Sequence, residues 1–256
     1  MSRDYISILQ LTDLHLFADP AGLFNNINTR DSFAKVLSHI HQHYERPDII
    51  IITGDMAHDG ATETYRFIAE SLKTFSAPVY YVLGNHDHPE NASQVYPLET
   101  VTTSDHCLLG DWQIILVDSN NHPMPDSYEG EVSHAELQRI KALIAQHPDK
   151  STVIAMHHNL PDHNDRGINF EVRNHQQVMQ CFEQLPAIKL VISGHVHQEF
   201  MIVQQGICYL STPATGYQSL SKSKCITNDA PGYRWLKLYP NGRFETDVRR
   251  TNIWAS

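Results

Sequence analysis

Six short runs of apolar residues, rich in β-branched side chains, are spread over the first three quarters of the chain. Each is short enough to form one buried strand of a parallel sheet, and the runs cover residues 5–11, 49–52, 79–83, 114–117, 152–156 and 190–192. Helical patterns lie between several runs, because Phe33, Val36 and Ile40 recur at helical spacing and residues 65–75 keep a similar stripe. The chain is therefore predicted to fold as an α/β protein with crossover helices.

Two further helices are predicted in the second half of the chain. Ser133 and Glu136 have the spacing of a capping box, so a helix should begin after Ser133 and end near His147, before Pro148. Another helix should end at Pro186.

After residue 198 the pattern changes to short strands that alternate with turn residues. Hairpins are predicted over residues 200–210 and 233–248 and would form a hairpin-rich C-terminal layer. The polar stretch 211–232 between them is a candidate rim or lid over a site. Neither a repeat nor a linker interrupts the sequence, so we expect a single domain over residues 1–256.

Charge and cysteine usage limit the classes of partner. The formal net charge is −10 and no block of Lys and Arg occurs, which argues against nucleic acid or an anionic membrane as the main partner. The N-terminal residues contain no apolar signal region, and no apolar run is long enough to span a membrane. Four cysteines lie far apart, at Cys107, Cys181, Cys208 and Cys225, and are expected to be reduced thiols. We therefore expect a cytoplasmic protein.

Polar residues that bind metals well follow each of the six apolar runs. In chain order they are Asp13 and His15, Asp55, Asn85, Asp118, His157, and His195 and His197. Parallel strands present their carboxyl ends at one edge of a sheet, so residues far apart in sequence can converge there. Any one of them alone would more often be structural, but so many coincidences of residue type and position predict one shared site.

The types of donor indicate what the site would bind. Imidazole, carboxylate and amide oxygen without thiolate suit iron, manganese, cobalt or zinc. Seven such donors, all of those above except Asp118, exceed one tetrahedral shell, whereas two cations that share a bridging carboxylate would use them all. Two divalent cations with two carboxylates and a bridging hydroxide leave a net charge of about +1, so this acidic protein could hold a phosphate ester.

In their order and spacing, these motifs resemble those of the calcineurin-like metallophosphoesterases, and within them the bacterial class III cyclic-nucleotide phosphodiesterases. The resemblance is carried by Asp13-x-His15, Gly54-Asp55, Gly84-Asn85-His86-Asp87, His157 and Gly194-His195-x-His197. It implies a four-layer α/β/β/α sandwich with its site at the top of two sheets. It also implies a binuclear-metal phosphodiesterase that opens 3′,5′-cyclic nucleotides, above all cyclic AMP, through a metal-bridging hydroxide. Iron and manganese are the expected metals, with zinc and cobalt also compatible, and a homodimer is suggested.

The resemblance further implies a role for each motif residue. The first metal would be held by Asp13, His15, Asp55 and His197, and the second by Asp55, Asn85, His157 and His195. His86 would contact the phosphate and protonate the leaving oxygen, and Asp87 would orient or charge the His86 imidazole.

Some alternatives remain open at the level of sequence. The same centre could act on 2′,3′-cyclic nucleotides, glycerophosphodiesters or a nucleotide-sugar pyrophosphate, or the chain could be a scaffold without activity. Base preference is not predicted. His158, beside His157, could either support a ligand or contact substrate, and the same question applies to His122 and to residues 211–232.

Overall fold

The computed structural model describes residues 3–43, 46–98, 100–120, 128–160, 172–218 and 230–251. Within these ranges the helices are α1 (Thr29–His43), α2 (Thr62–Leu72), α3 (Pro89–Val95), α4 (His134–Gln146) and α5 (His175–Glu183). The strands are β1 (Ile6–Leu11), β2 (Leu23–Phe24), β3 (Ile27–Asn28), β4 (Ile49–Thr53), β5 (Val79–Val82), β6 (His106–Leu109), β7 (Trp112–Val117), β8 (Ser151–Met156), β9 (Ile188–Ser193), β10 (Phe200–Gln204), β11 (Ile207–Ser211), β12 (Gly232–Leu238) and β13 (Phe244–Arg250).

Two large sheets contain most of these strands. The first has the order β13-β12-β1-β4-β5, in which β1, β4 and β5 run parallel. The second has the order β10-β11-β9-β8-β7-β6, in which β7, β8, β9 and β11 run parallel. All six predicted strands are confirmed, and each sheet contains three of them, with β5 at the edge of the first sheet.

The sheets face each other and the helices cover their outer surfaces. Between the sheets, Ile8 and Ile51 of the first belong to one buried cluster with Ile114, Val153 and Ile192 of the second. The outer face of the first sheet forms a core with α1, α2 and α3, and the outer face of the second forms a core with α4 and α5. The predicted α/β/β/α sandwich is therefore confirmed.

The two C-terminal hairpins form where they were predicted, but they extend the sheets instead of making a layer of their own. β12 pairs antiparallel with β1, and β11 pairs parallel with β9. Both positions offer a strand edge with unpaired backbone groups, which a hairpin strand satisfies.

Local signals were also confirmed. The Ser133 hydroxyl accepts the Glu136 backbone N–H at 3.1 Å, and α4 ends at Gln146 with His147 as its C-cap. Cys107, Cys181 and Cys208 are free and buried, while Cys225 lies outside the described residues. In the part of the chain that the structure describes, every helix is too short or too polar to traverse a bilayer.

Candidate metal centre

All seven predicted ligands meet at the carboxyl ends of the parallel strands, at one edge of the two facing sheets. The first sheet brings them from the ends of β1, β4 and β5, and the second from the ends of β8 and β9. Six of the seven are buried, and Asn85 is partly buried. The first sheet contributes Asp13, His15, Asp55 and Asn85, and the second contributes His157, His195 and His197.

One half of the centre gathers two carboxylates and two imidazoles. Ligand atoms of Asp13, His15, Asp55 and His197 all lie within 4.8 Å of one another. His15 Nε2 is 3.0 Å from His197 Nε2 and 3.4 Å from Asp55 Oδ2. His197 Nε2 is 3.4 Å from Asp13 Oδ1. Four donor atoms of mixed nitrogen and oxygen type thus surround one small volume, as a transition-metal ion requires.

The other half lies on the opposite side of Asp55. His157 Nε2 is 3.5 Å from Asp55 Oδ1, 3.1 Å from Asn85 Oδ1 and 3.2 Å from His195 Nδ1. The two oxygens of Asp55 therefore face different clusters, Oδ2 toward the first half and Oδ1 toward the second. Such an arrangement allows one carboxylate to bridge two cations.

Hydrogen bonds behind the centre orient its side chains. His157 Nδ1 lies 2.9 Å from the Thr53 carbonyl, which can only accept, so Nδ1 carries the proton and the Nε2 lone pair faces the cluster. The Asp13 carboxylate accepts the His195 backbone N–H at 3.0 Å and the Thr12 hydroxyl at 2.8 Å. Gln10 links the sheets below, because its amide donates to Thr53 Oγ1 and to the Ser193 carbonyl.

The backbone is strained at five of the seven positions. Asp13, His15, Asp55, His195 and His197 all have positive φ, between 44° and 69°. Residues other than glycine adopt this left-handed region rarely, and such residues concentrate at functional sites. Five of the eight described non-glycine residues with positive φ are thus predicted ligands, and the other three are Asn25, Asn26 and Gln205.

Close approach explains two motif glycines. A Cβ on Gly84 would lie 2.8 Å from Asp55 Cγ and nearer still to the Asp55 carboxylate oxygen and backbone nitrogen. A Cβ on Gly194 would lie 2.5 Å from Asp13 Oδ2 and would also collide with the Thr12 hydroxyl. Both glycines are therefore required because a ligand side chain presses against the backbone.

Burial and charge set the ionisation of the first half. Burial alone would raise the pKa of Asp13, but the charge and hydrogen bond of His197 outweigh it and lower that pKa. Burial alone would lower the pKa of His197, but Asp13 raises it. Burial and neighbouring imidazoles hold the pKa of His15 and of His195 well below the usual value, so both rings stay neutral with a lone pair to donate.

His86 adjoins the first half without belonging to either group of predicted ligands. Its backbone N–H donates to Asp55 Oδ1 at 2.9 Å, and its ring meets His15 edge to face at 4.9 Å between centroids. The ring also stacks on His58, at 4.9 Å and an interplanar angle of 21°. His86 thus presents an imidazole beside the centre, as a proton donor to a bound ester would.

Asp87 has a different environment from the one expected. Its carboxylate accepts backbone N–H groups of Met56, Ala57 and Gly84 and the Tyr65 hydroxyl, at 2.9–3.2 Å. Burial and the Asp55 charge raise the pKa of Asp87 to about 6. With its lone pairs used in this way, the carboxylate ties the Asp55 loop to the Gly84 loop, and it has no described contact with the His86 ring. That Asp87 orients or charges the His86 imidazole stays a prediction.

The remaining sequence candidates divide into three groups. His158 is fully buried, its Nδ1 is 2.9 Å from the Ser119 hydroxyl, and its ring centroid is 4.6 Å from that of His195, so it packs behind a ligand. Asp118 Oδ1 accepts the Asn120 backbone N–H at 2.9 Å, which is a structural hydrogen bond within the loop after β7. His122 and residues 219–229 of the predicted lid lie outside the described residues.

Sequence reasoning missed His58. It lies three residues after Asp55, on the loop that follows β4, and its Nδ1 is 3.1 Å from Nδ1 of His15. Its position on the same strand-end loop as the central carboxylate was the available signal.

Comparisons with known proteins agree with this geometry. A family model described as calcineurin-like phosphoesterase matches residues 6–199. The 3′,5′-cyclic adenosine monophosphate phosphodiesterase CpdA of Haemophilus influenzae is 31% identical over 97% of this chain and 91% of the relative. CpdA of Escherichia coli K12 is 32% identical over 96% of this chain and 90% of the relative.

Among solved structures, a dimetal phosphatase from Danio rerio superposes with a TM-score of 0.74 at 14% identity, covering 96% of each chain. That likeness supports the fold, and the family model and curated relatives support the motifs. The chain belongs to the calcineurin-like phosphoesterase family.

Proposed function

We propose that this protein is a binuclear-metal phosphodiesterase that hydrolyses 3′,5′-cyclic nucleotides, with cyclic AMP as its main substrate, to 5′-nucleotides. The observation that carries the proposal is the Asp55 carboxylate, whose two oxygens face two separate clusters of nitrogen and oxygen donors. The curated relatives that cover nearly the whole chain bear the name of this activity, which supports the choice of substrate.

The donor sets fit two cations of the transition series. Asp13, His15, Asp55 and His197 would hold the first. Asp55, Asn85, His157 and His195 would hold the second. None of the seven donors is a thiol, which suits iron, manganese, zinc or cobalt, and the family resemblance favours iron or manganese among them. When bound, two such ions supply Lewis acidity and a water-derived nucleophile at neutral pH.

Charge at this site suits a phosphodiester. Besides the shared Asp55 carboxylate, the second cluster takes an oxygen from the neutral Asn85 amide, which holds a cation without reducing its charge. A third carboxylate there would weaken the attraction for an anionic ester. The net positive charge of the loaded centre would therefore attract the substrate locally on a protein with a formal charge of −10.

His86 is the residue that would move a proton. Its main chain is fixed to Asp55 Oδ1, while its ring lies beside His15 and remains partly exposed. From there an imidazolium can contact a phosphate oxygen and give its proton to the leaving ribose oxygen. Asp87 contributes indirectly, since it fixes the two loops that carry Asp55 and His86.

The test is a substrate panel with defined metal content. Purified protein loaded with Mn²⁺ or Fe²⁺ would be assayed on 3′,5′-cyclic AMP, 2′,3′-cyclic AMP, a glycerophosphodiester and an aryl diester, with bound metal counted by mass spectrometry. We expect two ions per chain and a strong preference for 3′,5′-cyclic AMP. Preference for another ester would overturn the substrate, a single ion would overturn the binuclear centre, and the absence of metal after loading would favour a scaffold.

Three further expectations belong to this proposal. A cytoplasmic location is supported by the free, buried thiols of Cys107, Cys181 and Cys208. A single domain over residues 1–256 predicts one cooperative unfolding transition, and a homodimer predicts twice the chain mass in light scattering.

A further inference from the structure

His58 touches both a predicted ligand and the predicted proton donor. On one side its Nδ1 lies 3.1 Å from Nδ1 of His15. On the other its ring stacks on His86, with centroids 4.9 Å apart and planes inclined by 21°. The rings of Phe24 and Phe17 also contact it, with centroids at 4.4 Å and 4.9 Å, and the ring remains partly exposed. These aromatic contacts fix the His58 ring, which can therefore fix the orientation of the His15 and His86 rings.

The direction of the hydrogen bond follows from the position of His15. His15 Nε2 faces the first cluster, 3.4 Å from Asp55 Oδ2 and 3.0 Å from His197 Nε2. A ring that offers its Nε2 lone pair to a cation carries its proton on Nδ1. His15 Nδ1–H must then donate to His58 Nδ1, which accepts and leaves the proton of His58 on Nε2.

We propose that His58 is a positioning residue for the phosphodiesterase activity proposed above, and that it positions two neighbours in two separable ways. Its Nδ1 lone pair fixes the tautomer and ring orientation of His15 toward the first cation. Its ring face fixes the orientation of His86 toward the leaving oxygen. The partner behind a metal-binding imidazole is commonly a carboxylate or carbonyl oxygen. A neutral imidazole in that place orients His15 without adding negative charge to the centre.

Three substitutions separate the two parts. His58→Phe keeps the ring and removes the acceptor. His58→Asn keeps an acceptor, because its amide oxygen can take the place of Nδ1, and removes the ring. His58→Leu removes both, and it also serves if either other variant folds poorly. His41→Phe is the matched control, since His41 is exposed on α1 and likewise stacks on an aromatic ring, that of Phe75.

The first readout is metal binding, independent of turnover. Metal-free protein would be titrated with Co²⁺, with affinity measured by equilibrium dialysis and coordination followed by visible absorption. We expect His58→Phe and His58→Leu to weaken one of two Co²⁺ sites about tenfold to a hundredfold, the range found for partners behind metal ligands. His58→Asn and His41→Phe should stay within about twofold of the wild type.

The second readout is the steady-state kinetics on cyclic AMP at saturating metal, which shows whether a variant changes kcat or KM. We expect His58→Asn to lower kcat about tenfold with KM little changed, because a misplaced proton donor affects the chemical step. At saturating Co²⁺, His58→Phe should recover most of kcat. The proposal would be overturned if His58→Phe bound metal as tightly as the wild type or if His58→Asn bound it more weakly. It would also be overturned if His58→Asn left kcat unchanged. If the wild type prefers another ester while the metal-binding pattern holds, the substrate is wrong and the positioning of His15 stands.

Discussion

Gly84→Ala tests whether the centre depends on close contact between two strand-end loops. The new methyl group would lie 2.8 Å from Asp55 Cγ and nearer still to Asp55 Oδ1, whereas ordinary contact begins near 3.4 Å, so the carboxyl group must move by at least about 0.6 Å. The Asp55 backbone nitrogen is nearer still, and backbone cannot rotate away. Because a catalytic constellation tolerates only about 0.5 Å, the shift should disturb the carboxylate that faces both clusters. We expect kcat/KM to fall about tenfold to a hundredfold, with overpacking costing about 1–3 kcal/mol of stability.

The assay combines metal content after loading, kcat/KM on cyclic AMP and thermal unfolding. Gly206→Ala is the matched control, since Gly206 lies in the turn between β10 and β11 with nothing within 4 Å of a new Cβ. Its φ of +81° should make that alanine cost roughly 1–2 kcal/mol, so both variants lose stability but only one disturbs the site. If Gly84→Ala bound two ions and kept more than half of the wild-type kcat/KM, the argument from crowding would be refuted.

Four other changes give outcomes of different kinds. Asp55→Ala should lose both ions and activity together, which metal counting and assay would show; retention of either ion would argue against bridging. His86→Ala should keep both ions and lose about 10²–10⁴-fold in kcat, and normal turnover would disprove its role as the acid. Chelation should lower stability by about 4 kcal/mol for each ion whose free concentration stands near a thousand times its Kd, a Tm change of roughly 8 °C per ion in calorimetry. Tyr209→Phe removes a buried hydroxyl that has no hydrogen-bond partner among the described residues, so it should stabilise the fold by about 1 kcal/mol. Burial and the charge of Glu183 raise the pKa of Tyr209 to about 12. An unfolded tyrosine ionises near pH 10, so wild-type stability should fall between pH 10 and 12 more than that of Tyr209→Phe; equal falls in urea titrations would contradict this.

The larger elements of the fold could be predicted because each carries its own signal. Strands such as β4, a continuous apolar run, and helices such as α4, with a capped start, need no tertiary context to be recognised. The elements that were missed are short. The hairpin of β2 and β3 has two residues per strand and turns through Asn25 and Asn26, both at positive φ, and α3 has only seven residues. These elements are too short to show a periodic pattern of apolar residues in the sequence.

Contacts that depend on the third dimension limited the prediction of the site. The strand-end rule brought the seven donors together because parallel strands share one edge. The same rule does not predict which atoms of these side chains face one another. Asp87 follows His86 in sequence, yet its carboxylate turns to the backbone of Met56 and Ala57 on another loop. His58 lies outside the motifs that the sequence analysis used, and only the folded loop brings its ring against His15.

The strained backbone at the ligands is held in place by hydrogen bonds between the loops that carry them. Each left-handed residue costs roughly 1–2 kcal/mol, so the five together oppose folding by an amount comparable with the net stability of a domain. That conformation persists because the loops hold one another: Asp13 N–H donates to the Gly54 carbonyl, His15 N–H to the Asp55 carbonyl, and His195 N–H to the Asp13 carboxylate. The first two bonds join neighbouring strands of one sheet and the third crosses between the sheets. Burial of the core between the sheets therefore offsets the strain that these hydrogen bonds hold.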